Sequence, residues 1–142
     1  MANSRWLIGL LTVVYGLSTY SCSIRDSKFQ QYYVQGQTLY EKHCSNCHQK
    51  NGKGLGLVYP PLEQSDYLMK NINRSFCIMK YGTSGEVLVN GKSFNKSMPG
   101  IPSLTELEIA EVATYISNSW GNEYKRVEIS EVDSVLRNCE TR

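Results

Sequence analysis

Three of the residues best suited to chemistry fall together as Cys44-Ser45-Asn46-Cys47-His48. Cys-x-x-Cys-His is the attachment pattern of a c-type haem. Two thiols on one helical turn add to the two vinyl groups on one edge of a porphyrin. The residue that follows then brings its imidazole to the iron. A thioredoxin-like dithiol would want a βαβ frame, which the chain lacks. A zinc site would want a second ligand pair at similar spacing, and none is present.

An iron held by His48 has a second axial position. Among the four Met and two His of the chain, the candidates are Met69, Met79, Met98 and His43, besides water. His43 directly precedes Cys44 and cannot reach the opposite face. Met69 and Met79 lie in segments that read as helix, where core filling is the better account. Met98 lies in the loop Asn95-Lys96-Ser97-Met98-Pro99-Gly100, and Pro99 biases it to extended backbone. A side chain there projects across a gap, and a thioether ligand favours reduced iron. Met98 is therefore the expected distal ligand.

These motifs occur with Gly52-Lys53-Gly54-Leu55-Gly56, Pro60-Pro61-Leu62 and the run Leu104–Ile116, in the order of a class I cytochrome c. The chain resembles that monohaem family over roughly residues 30–122. The resemblance implies an all-α fold, with three to five helices wrapped around one haem c bound through Cys44 and Cys47. It implies that the Pro60 carbonyl accepts the His48 Nδ1–H, which fixes the tautomer and raises ligand basicity. It also implies that Leu62 packs on the ring, and that Gly36 lets the two terminal helices cross closely near Tyr115.

The elements that must hold these residues follow from periodicity. Residues 28–43 read as an amphipathic helix carrying Tyr33, Gly36, Leu39 and Tyr40 toward Cys44. Shorter helices are expected at 65–70, with Ser65 as cap, and at 73–81. Glu86–Val89, Asn90-Gly91 and Lys92–Phe94 read as a hairpin that delivers the Met98 loop. The clearest helix is 106–120. Thr105 and Glu108 offer a capping box, and Leu104 and Ile109 a staple. Ile109, Val112, Ala113, Ile116 and Trp120 form one apolar stripe, and Gly121 stops it. Trp120 either packs or donates to a haem propionate.

Arg5 and the apolar run Trp6–Leu17 fit a secretory signal, being too short to span a bilayer. Cys22 follows, as in a bacterial lipoprotein signal, so residues 1–21 read as the signal and Cys22 as the lipidated residue. An uncleaved anchor and cleavage without lipid are the alternatives, and all three place the rest outside the cytoplasm. Residues 22–28 read as a linker, 29–125 as the cytochrome domain and 126–142 as a C-terminal extension. Of five cysteines, Cys77 and Cys139 then remain. In an oxidising compartment they read as a disulfide pinning the extension, with two free thiols as the alternative.

The chain has 142 residues, with 15 Lys and Arg against 13 Asp and Glu, a balance that argues against nucleic-acid binding. The charges are segregated: residues 22–104 hold ten basic and five acidic side chains, and 105–142 hold four and eight. Lys50 and Lys53 follow the haem motif, and Lys92 and Lys96 precede Met98. They suggest a basic rim that docks acidic patches on redox partners, or simply solvated lysines. The function that fits is a monomeric, non-enzymatic, single-electron carrier, anchored in the periplasm and serving a respiratory chain. The alternatives are a haem subunit of a larger oxidase or reductase, and a sensor or enzyme with a displaceable distal ligand.

Overall fold

Tyr32, Tyr33, Gly36, Leu39 and Tyr40 recur at helical spacing, and residues 27–43 form helix α1. The computed structural model describes residues 27–139. The chain divides into two compact units, 1–31 and 32–142; of the first, only the helical stretch 27–31 is among the described residues. The helix starts at Ser27, one residue before the expected 28, so the last two residues of the expected 22–28 linker are helical. Ser27 and Lys28 are polar and carry no apolar period, so the domain boundary drawn at 29 fell inside the first turn. Cys22 and the signal lie outside the described residues. Among the described residues, no helix is long and apolar enough to cross a membrane.

After α1 comes the single turn α2, Ser45–His48. Helix α3, Asp66–Lys70, starts at Ser65, whose hydroxyl accepts from the Leu68 N–H at 3.2 Å. Helix α4, Ile72–Tyr81, starts at Asn71, whose side chain accepts from the Arg74 N–H at 3.2 Å. The expected hairpin is present as β2, Val87–Val89, and β3, Lys92–Phe94, in the register Val87 to Phe94 and Val89 to Lys92. Asn90 (φ 50°) and Gly91 (φ 74°) turn it, both in the left-handed conformation that Asn-Gly suits. Asn90 and Asp66 exchange hydrogen bonds at 3.0 and 2.7 Å, pinning the hairpin tip to the start of α3.

A second ladder was not legible in the sequence. Strand β1, Gly82–Thr83, pairs antiparallel with β4, Met98–Pro99, placing Thr83 opposite Met98. Two-residue strands have no alternation to read.

Helix α5, Glu106–Ile116, opens with the expected capping box between Thr105 and Glu108. It ends at Ile116, four residues before the expected end. Ser117, Asn118 and Ser119 turn their side chains back onto the carbonyls of Ala113, Thr114 and Tyr115. Such side chains compete with the helical ladder. Trp120 then takes φ 55°, so it enters the core from a turn rather than from the stripe.

Helices α1 and α5 cross in close contact at Gly36. A Cβ there would lie 2.0 Å from the Glu111 carbonyl oxygen and 2.8 Å from the Tyr115 Cβ. Tyr33, Tyr40, Tyr115 and Trp120 interlock beside the crossing, with ring centroids 5.1 to 5.4 Å apart. The stretch beyond 125 is not a loose appendage. Val127 and Val132 are fully buried in the main cluster, and the Val127 N–H donates to the Thr114 hydroxyl at 3.0 Å. Helix α6, Ile129–Leu136, packs on α4 and α5, and a disulfide joins Cys77 of α4 to Cys139 with a Cα–Cα distance of 5.7 Å.

Gly36→Ala should destabilise the fold by about 1–3 kcal/mol despite the ~1 kcal/mol better helix propensity of Ala, because backbone must move. A thermal midpoint equal to or above that of the parent would refute the close crossing. The disulfide closes a separation of 62 residues, so Cys77→Ser/Cys139→Ser should cost about 4 kcal/mol in denaturant unfolding. A loss well under ~2 kcal/mol would mean that burial of Val127 and Val132 alone holds α6.

Candidate functional site

The motif residues sit where α1 ends. Tyr40 belongs to the buried face of α1, one turn before Cys44, and the Cys44 N–H donates to its carbonyl at 2.8 Å. The His48 N–H in turn donates to the Cys44 carbonyl at 3.0 Å. Both thiols border one cleft, and neither is in a disulfide. Burial, and then the neighbouring Cys47, push the Cys44 thiol up to about 11. Before haem attachment the thiol is therefore protonated at neutral pH.

His48 is 8% exposed. Its Nδ1 lies 3.0 Å from the Pro60 carbonyl oxygen, where the N–H form donates. Nε2 is left as the nitrogen that can bind a metal. Burial lowers the His48 pKa, and the Pro60 bond partly opposes it. The neutral imidazole that a metal needs is therefore favoured.

The loop between His48 and Pro60 is built to close. Gln49 takes φ 62°, and its carbonyl accepts the Tyr40 hydroxyl at 2.6 Å. Gly52 (φ 70°) lies under the Trp120 indole, where a Cβ would come 2.5 Å from a ring carbon. Trp120 therefore packs on this loop. Burial raises the Tyr40 pKa, so its hydroxyl stays a donor. Leu62 packs against the core; its N–H donates to the Gly52 carbonyl and its own carbonyl accepts from Asn122.

The remaining walls come from α3, α4, the hairpin, β4 and α5. Leu68, Ile78, Met79, Val87, Val89 and Met98 border the same cleft as His48, and Val112 and Ile116 of α5 border it too. The structure therefore brings Cys44, Cys47, His48, Pro60, Leu62 and Met98 together. Of the other distal candidates, Met79 borders the cleft but is buried in the main cluster, and Met69 packs against the core. Met98 is held by its pairing with β1. A Cβ on Gly82 would meet the Met98 carbonyl at 2.6 Å, and one on Gly100 would meet Tyr81 backbone at 2.5 Å.

Sequence reasoning missed Tyr40 and Arg74 as cleft residues. Tyr40 lies four residues before Cys44 on a helix, which could have placed it. Nothing in the sequence marked Arg74. Its guanidinium lies over the Tyr67 ring at 3.5 Å and makes no ion pair among the described residues. The donor set fits a haem: two thiols on one turn, a buried imidazole, apolar walls, and a guanidinium that donates to the Tyr67 carbonyl and has no carboxylate partner among the described residues, suited to the carboxylates such a group carries.

Comparison with known proteins agrees with this arrangement. A family model for cytochrome c matches residues 33–120. Cytochrome c-552 of Thermus thermophilus is 34% identical over 96 residues, covering 65% of this chain and 72% of that protein. A second cytochrome c-552 from Thermus thermophilus is also 34% identical, and there the chain covers 64% of the relative's length. The cytochrome c subunit of the alcohol dehydrogenase (quinone) of Gluconacetobacter polyoxogenes is 33% identical over 92 residues, and the chain spans only 19% of that subunit. From the residue pattern, the fold and these relatives together, the chain belongs to the cytochrome c family of electron carriers, with haem c attached covalently through Cys44 and Cys47.

Proposed function

We propose that this cytochrome c shuttles single electrons between extracytoplasmic partners of a respiratory chain, with His48 and Met98 as the axial ligands of its haem. The observation that carries this reading is the shared cleft, in which His48, oriented by Pro60, and Met98, fixed by β1, face the same apolar space as the two thiols. A bound haem supplies an iron that changes oxidation state by one electron. The chain supplies a proximal imidazole held in one tautomer, a thioether on a paired strand, and walls that keep water out. With His48 and Met98 both bound to it, the iron would offer no open position to a substrate. Met98 is favoured over Met79 because Met79 is buried in the core cluster, whereas Met98 is half-buried on β4, outside that cluster, and borders the cleft.

Lipidation of Cys22 would tether the carrier to a membrane. Lys50, Lys53, Lys92 and Lys96 are exposed, and Lys96 borders the cleft, which supports a basic rim that meets acidic patches on partners. The second reading is a haem subunit of a larger oxidoreductase. It is favoured by the relative that is itself a dehydrogenase subunit. Co-purification of a stoichiometric partner would select it.

A redox-titrated spectrum of the holoprotein tests the carrier reading: the oxidised form should show a sulfur-to-iron charge-transfer band. Met98→Ala should abolish that band, lower the potential and admit carbon monoxide, while Met79→Ala should keep the band and lose about 2–5 kcal/mol of stability. The opposite pattern would make Met79 the ligand. Electron-transfer rates with acidic partners should fall as ionic strength rises, and a flat dependence would remove the basic rim.

A further inference from the structure

From Cys44 to Leu62 the chain carries Lys50 and Lys53 and no Asp or Glu. Within it, Leu55, Leu57 and Val58 are 54%, 68% and 48% exposed. Three large apolar side chains are thus exposed within four residues of one loop, unlike the singly scattered apolar residues that any surface has.

The loop that displays them is closed by its own backbone. The Leu55 N–H donates to the Tyr59 carbonyl at 3.0 Å, and the Val58 N–H donates to the Leu55 carbonyl at 3.0 Å. The Gly54 N–H donates to the His48 carbonyl at 3.0 Å, and a Cβ on Gly54 would sit 2.1 Å from the Tyr59 oxygen. An apolar knob already fixed in shape loses little entropy on docking. Past the knob, Tyr59 and Pro60 turn directly into the cleft wall, and Pro60 holds His48.

We propose that Leu55, Leu57 and Val58 are the docking knob for a redox partner that presents an apolar depression bordered by carboxylates; this rests on the electron-carrier reading above. The carboxylates meet Lys50 and Lys53, which steer the encounter, and the depression takes the knob, which supplies the affinity. One electron then passes between partner and carrier with no proton or group transferred. A protein partner is favoured over a lipid surface because the knob adjoins the cleft. A bilayer covering it would obstruct the exchange that the cleft serves.

The test uses the holoprotein on gold electrodes coated with carboxylate-terminated, methyl-terminated or mixed alkanethiol films, the mixed film standing in for the partner. The parent should bind and exchange electrons with the mixed film at about tenfold higher affinity than with the carboxylate film. Leu57→Ser/Val58→Ser should lose that tenfold gain, match the parent on the carboxylate film, and keep its visible spectrum and thermal midpoint. Equal behaviour of parent and variant on the mixed film overturns the proposal. So does a variant defect confined to phosphatidylglycerol vesicles, which would assign the knob to lipid, or a parent dimer in sedimentation that the variant lacks. Parent protein inert on every film would count against electron carriage itself and remove this surface with it. Normal exchange on carboxylate with no gain from methyl groups counts against the knob alone.

Discussion

The hydrogen bond between His48 Nδ1 and the Pro60 carbonyl is the constraint around which the site is built. It requires the chain to leave His48, run through eleven residues and return a carbonyl to within 3.0 Å of the ring. One such bond contributes only about 1 kcal/mol net, but leaving a buried imidazole N–H unpaired would cost more. The loop geometry follows from that requirement. Gln49 turns left-handed and is held by Tyr40; Gly52 admits the Trp120 indole; Gly54 lets the chain pass against the Tyr59 and Pro60 backbone. At the two glycines there is no room for a bulkier substitute, because something else in the fold already occupies the space.

The part of the cleft lining that carries Met98 obeys a parallel constraint with different means. Helix α4 runs into β1 without an intervening loop, and β1 pairs with β4, so the position of Met98 follows from where α4 packs. Gly82 and Gly100 make that pairing possible by letting the two backbones approach closely. The hairpin is anchored separately, through Asn90 and Asp66, and its Val87 and Val89 border the cleft. The cleft is thus bounded by pieces whose positions are each set from outside it.

That division explains what the sequence could reveal. The Cys44–His48 spacing, the Asn90-Gly91 turn and the Thr105/Glu108 box are local, because their chemistry acts within one or two turns of chain. The β1–β4 pairing is not local. It brings Gly82 to Pro99 and Thr83 to Met98 through two-residue strands, too short for any alternation to show. Trp120 misled the periodicity because it falls on the stripe of α5 by number, yet reaches the core through a left-handed turn after three polar residues end the helix. Arg74 carried no signal at all. Its significance comes from the lack of a carboxylate partner among the described residues, which only the packed structure can show.

The segment after residue 120 lies outside the match to the family, yet it is continuous with the core. A small domain with a cofactor cleft through its middle has lost the space where most of its core would otherwise be, and a chain of this size has little to spare. The apolar contacts must then come from the outer faces of the helices that form the cleft. Helix α6 supplies them: it packs on α4 and α5, buries Val132 with Val127 just before it, and is tied by the disulfide to the helix that leads into β1. Thr114 and Asn118, polar residues at and just past the end of α5, accept the backbone N–H groups of Val127 and Tyr124. The same residues that look like breaks in an apolar stripe are the ones that receive this strap, so the helix serves the cleft with one face and its own reinforcement with the other.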